Sequence, residues 1–290
     1  MESLAVVLLT HDEEANLPSL LSSLDGFTKR LFVMDSGSND RTVEIAERAG
    51  ATVWRHPFDD YASQRNRAQE KLPDDVQWVL HLDADERLTP ELREEIKRTM
   101  DAPPKGVDGF MLRQRTVFMG RWIKHGGHYP AFHLRLFRKG SGRCEERLYD
   151  QHFVVEGHIE RLKNDYVDVV ASDVETWTAR HVRWAGLEAE EIMNPSVGRT
   201  RVRPALFGNP IERRRWLREK VLYRPPLFLR AFLHFLYRYF LRLGFLDGKE
   251  GLIFHFLQGC WYRFMVDAVV YQRRQAFGNS AQPFRAEKTK

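Results

Sequence analysis

Trp78-Val79-Leu80-His81-Leu82-Asp83-Ala84-Asp85-Glu86-Arg87 is the stretch on which the fold of this chain turns. Gln77 to Leu82 is mostly apolar and rich in β-favouring residues, so a buried strand is expected that ends where the carboxylates begin. Thr89-Pro90-Glu91 follows with a helix N-cap and a proline at the first helical position. In an open α/β sheet, ligands bind beyond the carboxyl ends of the strands, which is where the acids fall. Asp83 and Asp85 are two residues apart, so in an extended segment they project to one side and suit a hard divalent cation that also takes phosphate oxygens. An isolated Asp-x-Asp is more often a plain acidic turn, so its meaning depends on the rest of the chain.

Working outward, the same unit recurs. Leu4 to Leu9 is a short apolar run, Thr10 to Glu14 a polar loop, and Ala15 to Leu24 an amphipathic helix. Arg30 to Met34 reads as a strand, Asp35 to Asp40 as a turn-rich loop, and Arg41 to Ala49 as a helix closed by Gly50. Ala51 to Trp54 is a third strand and Tyr61 to Lys71 a third helix. Strands alternating with helices predict a mostly parallel, doubly wound α/β sheet with a nucleotide at its edge. No Gly-x-Gly-x-x-Gly and no Walker Gly-Lys-Ser/Thr is present, which removes the support for dinucleotide and P-loop readings.

After the helix of Pro90 to Met100 the pattern changes. Gly109 to Arg113 and Ala131 to Arg138 look like strands flanking a Gly-rich loop, Met119 to Pro130. A loop this long inside a compact domain is usually functional. Its Trp122, His128 and Tyr129 suit sugar faces and hydroxyls, which makes them candidates for acceptor binding. Asp150, just ahead of the strand-like Phe153 to Val155, is the candidate base for an acceptor hydroxyl, with Glu145, Glu146 and His152 in reserve. Asp165 to Ala171 is another strand-like run. Thr178 to Met193 reads as a helix whose Arg180, His181, Arg183 and Trp184 face either a pyrophosphate, an acidic lipid or solvent.

With 290 residues, 43% hydrophobic and 12% aromatic, the chain buries a substantial core and disorder is not expected. The net charge of +5 is unevenly placed, acidic in the first hundred residues and Arg-rich after Arg199, so an anionic surface is the expected partner. A basic pI of about 9.2 invites nucleic-acid binding, but the Arg residues are interleaved with Phe and Leu in a way that suits lipid, so no nucleic acid is expected. Cys144 and Cys260 match no metal or redox spacing and read as free thiols in a reducing compartment. Met1-Glu2-Ser3 and Leu4 to Leu9 lack the features of a secretion leader, and no run is long enough for a membrane span.

In the C-terminal third, a helix over Leu227 to Leu243 carries Arg230, His234, Arg238 and Arg242 at intervals of four, surrounded by Phe and Leu. This predicts an interfacial helix with its apolar side in the acyl boundary and the Arg row toward anionic headgroups. A second helix, Leu252 to Arg273, has Arg263 and Asp267 spaced for a pair. The expected place is peripheral, on the cytoplasmic face of a bacterial inner membrane.

Five motifs stand in order in the first half: Thr10-His11-Asp12-Glu13-Glu14-Ala15-Asn16-Leu17, Val33 to Thr42, Gln64-Arg65-Asn66, Leu82 to Arg87, and Tyr129-Pro130 leading to Arg135-Leu136-Phe137. With these the chain resembles the inverting family-2 glycosyltransferases of the GT-A fold, especially bacterial lipopolysaccharide-core β-glucosyltransferases. The resemblance implies a GT-A mixed sheet flanked by helices with a C-terminal helical, membrane-associated extension. It divides the chain into a nucleotide-sugar half (1–100), an acceptor half (101–198) and an amphipathic helical region (199–290). It implies Thr10, Glu13, Asp35, Arg65 and Asp83 as donor-binding residues, Asp85 as ligand of Mg²⁺ or Mn²⁺, and Arg135 on the acceptor side. The partners it implies are a nucleotide-sugar donor, UDP-linked in the first instance, and a lipid-linked or envelope glycan acceptor. Two departures stand out: His11-Asp12 in the first loop, and Tyr149-Asp150-Gln151-His152 where a His-Glu or Glu-Asp pair is usual. The competing classes are a nucleotidyltransferase, which would carry a Gly-rich basic loop after the first strand, and a non-catalytic membrane-bound scaffold, which would not hydrolyse nucleotide sugar.

Overall fold

The structure is a computed structural model and describes residues 3–194 and 202–280. The expected boundary at 198/199 and the extreme N-terminus, Met1-Glu2, lie outside the described residues.

The first half alternates strand and helix: β1 (Leu4–Thr10), α1 (Leu17–Ser23), β2 (Leu31–Asp35), α2 (Thr42–Arg48), β3 (Thr52–Arg55), α3 (Tyr61–Glu70) and β4 (Trp78–Asp83). A two-residue turn, Ala84-Asp85, leads into β5 (Glu86–Leu88) and α4 (Pro90–Asp101). Then come β6 (Val107–Phe118), β7 (Arg121–Trp122), β8 (Ala131–Arg138), β9 (Gly142–Cys144), β10 (Phe153–Val155) and β11 (His158–Val170). Helices close the chain: α5 (Val174–Met193), α6 (Pro210–Leu217), α7 (Leu229–Leu236), α8 (Gly248–Phe256) and α9 (Tyr262–Ser280). Single π-turns at Arg218–Leu222, Tyr237–Leu241 and Leu257–Trp261 interrupt the helical region.

One sheet runs in the order β3-β2-β1-β4-β8-β6-β11-β5, with β7 on β6. β1, β2, β3 and β4 are parallel, whereas β8 is antiparallel to both β4 and β6. This mixed, helix-flanked sheet is the GT-A architecture expected from the motifs. The parallel strands are covered on both faces, which is why they read as unbroken apolar runs. Leu4, Val6, Leu8, Trp78 and Leu80 pack into one layer, and Ala5, Val7, Val79 and Phe137 into the other. Thr89 caps α4 by accepting from Leu92 N at 3.2 Å, as its position before Pro90 predicts.

Two sequence expectations are corrected here. Asp83 and Asp85 are not on one side of an extended strand: β4 ends at Asp83, and Asp85 sits in the turn, its carbonyl accepting from Val169 N at 2.9 Å. The C-terminal Arg row does not face outward as a whole either: of Arg230, His234, Arg238 and Arg242, only Arg242 is exposed. Arg230 is buried against Asp267 on α9, and Arg238 donates from Nε to the Gly126 carbonyl at 3.0 Å. Arg263 pairs with Glu188 on α5 instead of Asp267. The apolar side is turned outward in its place: Phe232, Leu233, Leu236, Phe240 and Leu241 are exposed. A guanidinium inside protein needs a carboxylate or carbonyl partner, and α5, α9 and the loop at Gly126 supply them.

The Arg230–Asp267 pair also binds Phe228 N, at 2.7 Å from Asp267 Oδ2, so it joins α7 to α9. Asp267→Ala should leave a buried cation without its counter-charge and destabilise the fold by about 3–5 kcal/mol in urea unfolding. Adding Arg230→Met should recover most of that loss.

Candidate active site

The loops after β1 and β2 are laced together at the carboxyl end of the sheet. Thr10 Oγ1 donates to Asp35 Oδ2 at 3.0 Å, and Asp35 also accepts from the backbone of Gly37 and Ser38. Glu13 N donates to Thr42 Oγ1 at 2.7 Å, and Asn16 donates to the Glu13 carboxylate at 2.7 Å. Burial raises the Glu13 carboxyl above its ordinary value, and Asp83 and Asp40 add to this against the Asn16 bond. The His11-Asp12 departure is absorbed structurally: Asp12 accepts from Asn39 N at 2.7 Å and lies at positive φ.

Asp83 is held by two guanidinium groups. Arg65 from α3 reaches it at 2.9 Å and Arg135 from β8 at 2.8 Å; Arg135 also binds Glu86. Burial alone would raise the Asp83 carboxyl, but Arg135 and Arg65 outweigh it and hold the group well below its ordinary value. Arg135 occupies a bulge. Leu134 and Leu136 face the successive residues Met111 and Phe110, so the residue between them is left without a partner and its side chain is re-aimed.

Asp85 has the opposite surroundings. Burial raises its carboxyl to about 8, and Asp168, Asp83 and Glu13 push in the same direction, opposed by Arg180 of α5. Asp168 on β11 accepts from Thr116 Oγ1 at 3.3 Å and from Gln114, and burial raises its carboxyl too. With Asp83 neutralised by arginine, Asp85, Asp168 and Glu13 form an acidic cluster short of positive charge. Oxygen-only ligands with excess negative charge fit Mg²⁺ or Mn²⁺. Among the described residues no three such side chains already converge as a closed cage. Asp168 was missed in the sequence; its signal is a lone acid in the apolar strand Tyr166 to Val170.

Asp150 has different partners. It sits at positive φ in the loop before β10, bound by Arg218 at 2.7 Å and near His152 at 3.7 Å. Burial would raise it, yet Arg218 and His152 hold it well below its ordinary value, so it is ionised at neutral pH. His152 and His133 lie with ring centres 5.8 Å apart, and His133 is two residues along β8 from Arg135. Of the reserve bases, Glu145 is fully buried and clasped by Arg215, and Glu146 points to Arg143 at 3.7 Å. His181 is also inside, stacked on Trp177 at 3.5 Å between ring centres, while Arg180 of the same helix acts by its charge on Asp85 and Glu13.

The four acceptor candidates separate. Arg135 joins the acids, and His128 Nε2 lies 2.9 Å from Thr116 Oγ1 beside Asp168. Trp122 and Tyr129 instead lie together around Asp165, with Tyr129 donating to it at 3.1 Å and Arg115 stacked 4.4 Å from the Trp122 ring. Asp165 and Asp168 fall on opposite faces of β11, so these two aromatics are on the side away from the acidic cluster.

Residues 5–145 match the model of glycosyl transferase family 2. An uncharacterized glycosyltransferase of Rickettsia typhi is 36% identical over 97 residues, 33% of this chain and 32% of that protein. The chain thus spans about a third of the length of that relative and of its counterparts in two other Rickettsia species. The lipopolysaccharide core biosynthesis glycosyltransferase LpsC of Rhizobium meliloti is 25% identical over 281 residues, 93% of this chain and 92% of that protein. Among solved structures, S. aureus TarS 1-349 aligns over 94% of this chain and 91% of that one, with 16% identity and a TM-score of 0.47.

A carboxyl raised by folding binds its proton more tightly when folded. Its contribution to stability is therefore full below the ordinary value of 3.8 and is lost as pH rises to about 8. The difference in unfolding midpoint between wild type and Asp85→Asn should decline across that window without metal, and Mn²⁺ should cancel the decline. A difference that stays flat with pH would show that Asp85 is not in an uncompensated acidic site.

Proposed function

We propose that the chain is an inverting glycosyltransferase that moves a sugar from a nucleoside-diphosphate sugar, UDP-linked in the first instance, to a lipid-linked or cell-envelope glycan. The observation that carries this is the division of labour among carboxylates. One acidic cluster holds more carboxylates than cations and suits a metal–diphosphate complex, while a second carboxylate, Asp150, is held low by Arg218. Asp85 and Asp168 would hold Mg²⁺ or Mn²⁺, which offsets the charge that develops on the leaving diphosphate. Glu13, in the laced loops, would meet base or ribose, and Asp35, fully buried and already accepting from Thr10, Gly37 and Ser38, would hold those loops in shape. Arg65 and Arg135 fix Asp83 and so shape the floor beneath the diphosphate. Asp150 takes the proton from the acceptor hydroxyl as that oxygen attacks the anomeric carbon, in one displacement with inversion. The alignment with LpsC over nearly the whole chain supports an envelope glycan as acceptor.

The outward apolar face of α7 and the segment after it supports seating on an anionic membrane, as a peripheral protein of the cytoplasmic face. Leu241 is 75% exposed, and Lys220, Arg224, Arg242 and Lys249 of the same C-terminal region are exposed as well. Among the described residues no helix is long and apolar enough to cross a membrane. Burying exposed apolar area in the acyl boundary is favourable, and the exposed cations add attraction to anionic headgroups.

Asp85→Ala should abolish metal-dependent transfer from a UDP-sugar panel while the fold persists. Asp150→Asn should lower turnover by roughly 10²- to 10⁴-fold with little change in donor affinity. A loss confined to donor affinity would assign Asp150 to binding instead. For the membrane, Leu233→Glu with Phe240→Glu should abolish co-sedimentation with anionic vesicles. This is a cleaner test than removing the C-terminal region, which would also take Arg215 from Glu145 and Arg218 from Asp150. Unchanged pelleting of the double variant would refute the seating.

A further inference from the structure

Asp168 is steered by a chain of contacts that begins far from it in the sequence. β11 runs beside β6 with Asp168 opposite Thr116 and Tyr166 opposite Gln114. Gln114 and Thr116 are two residues apart on β6, so both side chains lie on the face of Asp168. Both donate to the same carboxylate oxygen, Oδ2, Thr116 at 3.3 Å, and among the described residues Oδ1 accepts no protein hydrogen bond. The Thr116 hydroxyl has one proton, and with that proton on Asp168 its oxygen can only accept. It accepts from Gln114 at 3.3 Å and from His128 Nε2 at 2.9 Å, so the Nε2 of His128 carries a proton.

His128 is held in turn by the C-terminal region. It follows Gly126 and Gly127, both in the left-handed region at φ 67° and 66°, and a Cβ at Gly126 would collide with the His255 ring. Both backbone groups of Gly126 are taken from outside the loop. Its N–H donates to the Arg242 carbonyl at 2.8 Å, and its carbonyl accepts from Arg238 Nε at 3.0 Å. The buried Asp247 carboxylate binds His125 at two points, the N–H at 2.8 Å and Nδ1 at 2.6 Å. The His125 carbonyl accepts from His128 N at 3.2 Å, and the His128 ring packs edge-on against Phe254.

We propose that Thr116 and His128 are positioning residues for Asp168, and that Asp247, acting through His125, holds the loop that supplies His128. The proposal rests on the reading of Asp168 as a ligand of the metal that meets the donor diphosphate. Fixing Oδ2 on two protein donors leaves Oδ1 as the oxygen for the cation and keeps the carboxylate from rotating away. Asp85, the partner ligand, is placed against the same strand: β5 pairs with β11 so that Glu86 faces Asp168, and the Asp85 carbonyl accepts from Val169 N at 2.9 Å. The C-terminal region thereby contributes to the metal site without supplying a ligand. A purely structural role for these bonds predicts lost stability alone, whereas orientation of a ligand predicts lost metal affinity.

The test measures Mn²⁺ binding to the intact chain in the presence of UDP, by electron paramagnetic resonance of the free ion, beside the unfolding midpoint without metal. Thr116→Val, which keeps the shape and removes the hydroxyl, should weaken Mn²⁺ binding roughly 10- to 100-fold. His128→Ala should do the same, and Asp247→Asn should shift the affinity in that direction. Thr116→Ser, which keeps the hydroxyl, should bind Mn²⁺ about as the wild type does. His128 lies in a loop, so its variant keeps the test open if Thr116→Val fails to fold. Wild-type affinity in Thr116→Val and His128→Ala, with only the midpoint lowered, would overturn the proposal. So would a Thr116→Ser variant as weak as Thr116→Val, and wild-type affinity in Asp247→Asn would overturn the part given to Asp247. If the wild-type chain binds UDP but no Mn²⁺, the metal reading of Asp168 falls and the proposal with it; if it binds neither, the transferase reading falls as well.

Discussion

The site depends on one guanidinium, that of Arg135, shared between Asp83 at the end of β4 and Glu86 at the start of β5. Arg135 belongs to β8, the strand that joins the parallel half of the sheet to the mixed half. The ion pair therefore fixes the turn that carries Asp85 relative to both halves. A buried pair of this kind contributes little net stability, because desolvation offsets most of the attraction. Its value is positional: losing Arg135 would leave two buried carboxylates beside a third, and the turn could not hold its place. Arg65 adds a second clasp from α3, so Asp83 is anchored from both sides.

The same logic governs the C-terminal region, which is integrated with the sheet domain. Arg215 neutralises the fully buried Glu145, Arg218 holds Asp150, and His128 packs on Phe254 of α8 with ring centres 4.9 Å apart. The helices thus complete one wall of the cleft while presenting Leu and Phe to the outside. An amphipathic helix has only two sides, and here the charged side is consumed by protein partners, which leaves the apolar side outward. A face of that kind marks an interaction surface.

Electrostatically the site sets two kinds of carboxylate apart: Asp85, beside Asp168, is raised by burial, whereas Asp150 is clasped by Arg218 and held low. In the proposed transfer the first would meet a metal-bound diphosphate and the second the attacking hydroxyl. Placing reactants in this way is itself a large part of the rate enhancement available to an enzyme.

The alternation of apolar runs with amphipathic helices made the parallel half legible from residues alone, because strands covered on both faces must be apolar throughout and their ends must be polar. The five ordered motifs carried the family for the same reason: they lie within single βα units, where local spacing sets geometry. Asp168, the split of Trp122 and Tyr129 from His128, and the inward Arg row were not legible. Each depends on which strand or helix, distant in the chain, packs alongside. Periodicity places Arg230, His234, Arg238 and Arg242 on one stripe, but it carries no information on whether that stripe meets water, lipid or carboxylates. Only the tertiary structure decided that, by bringing Asp267 and the Gly126 carbonyl to it, since a guanidinium is buried only where such partners are already in place.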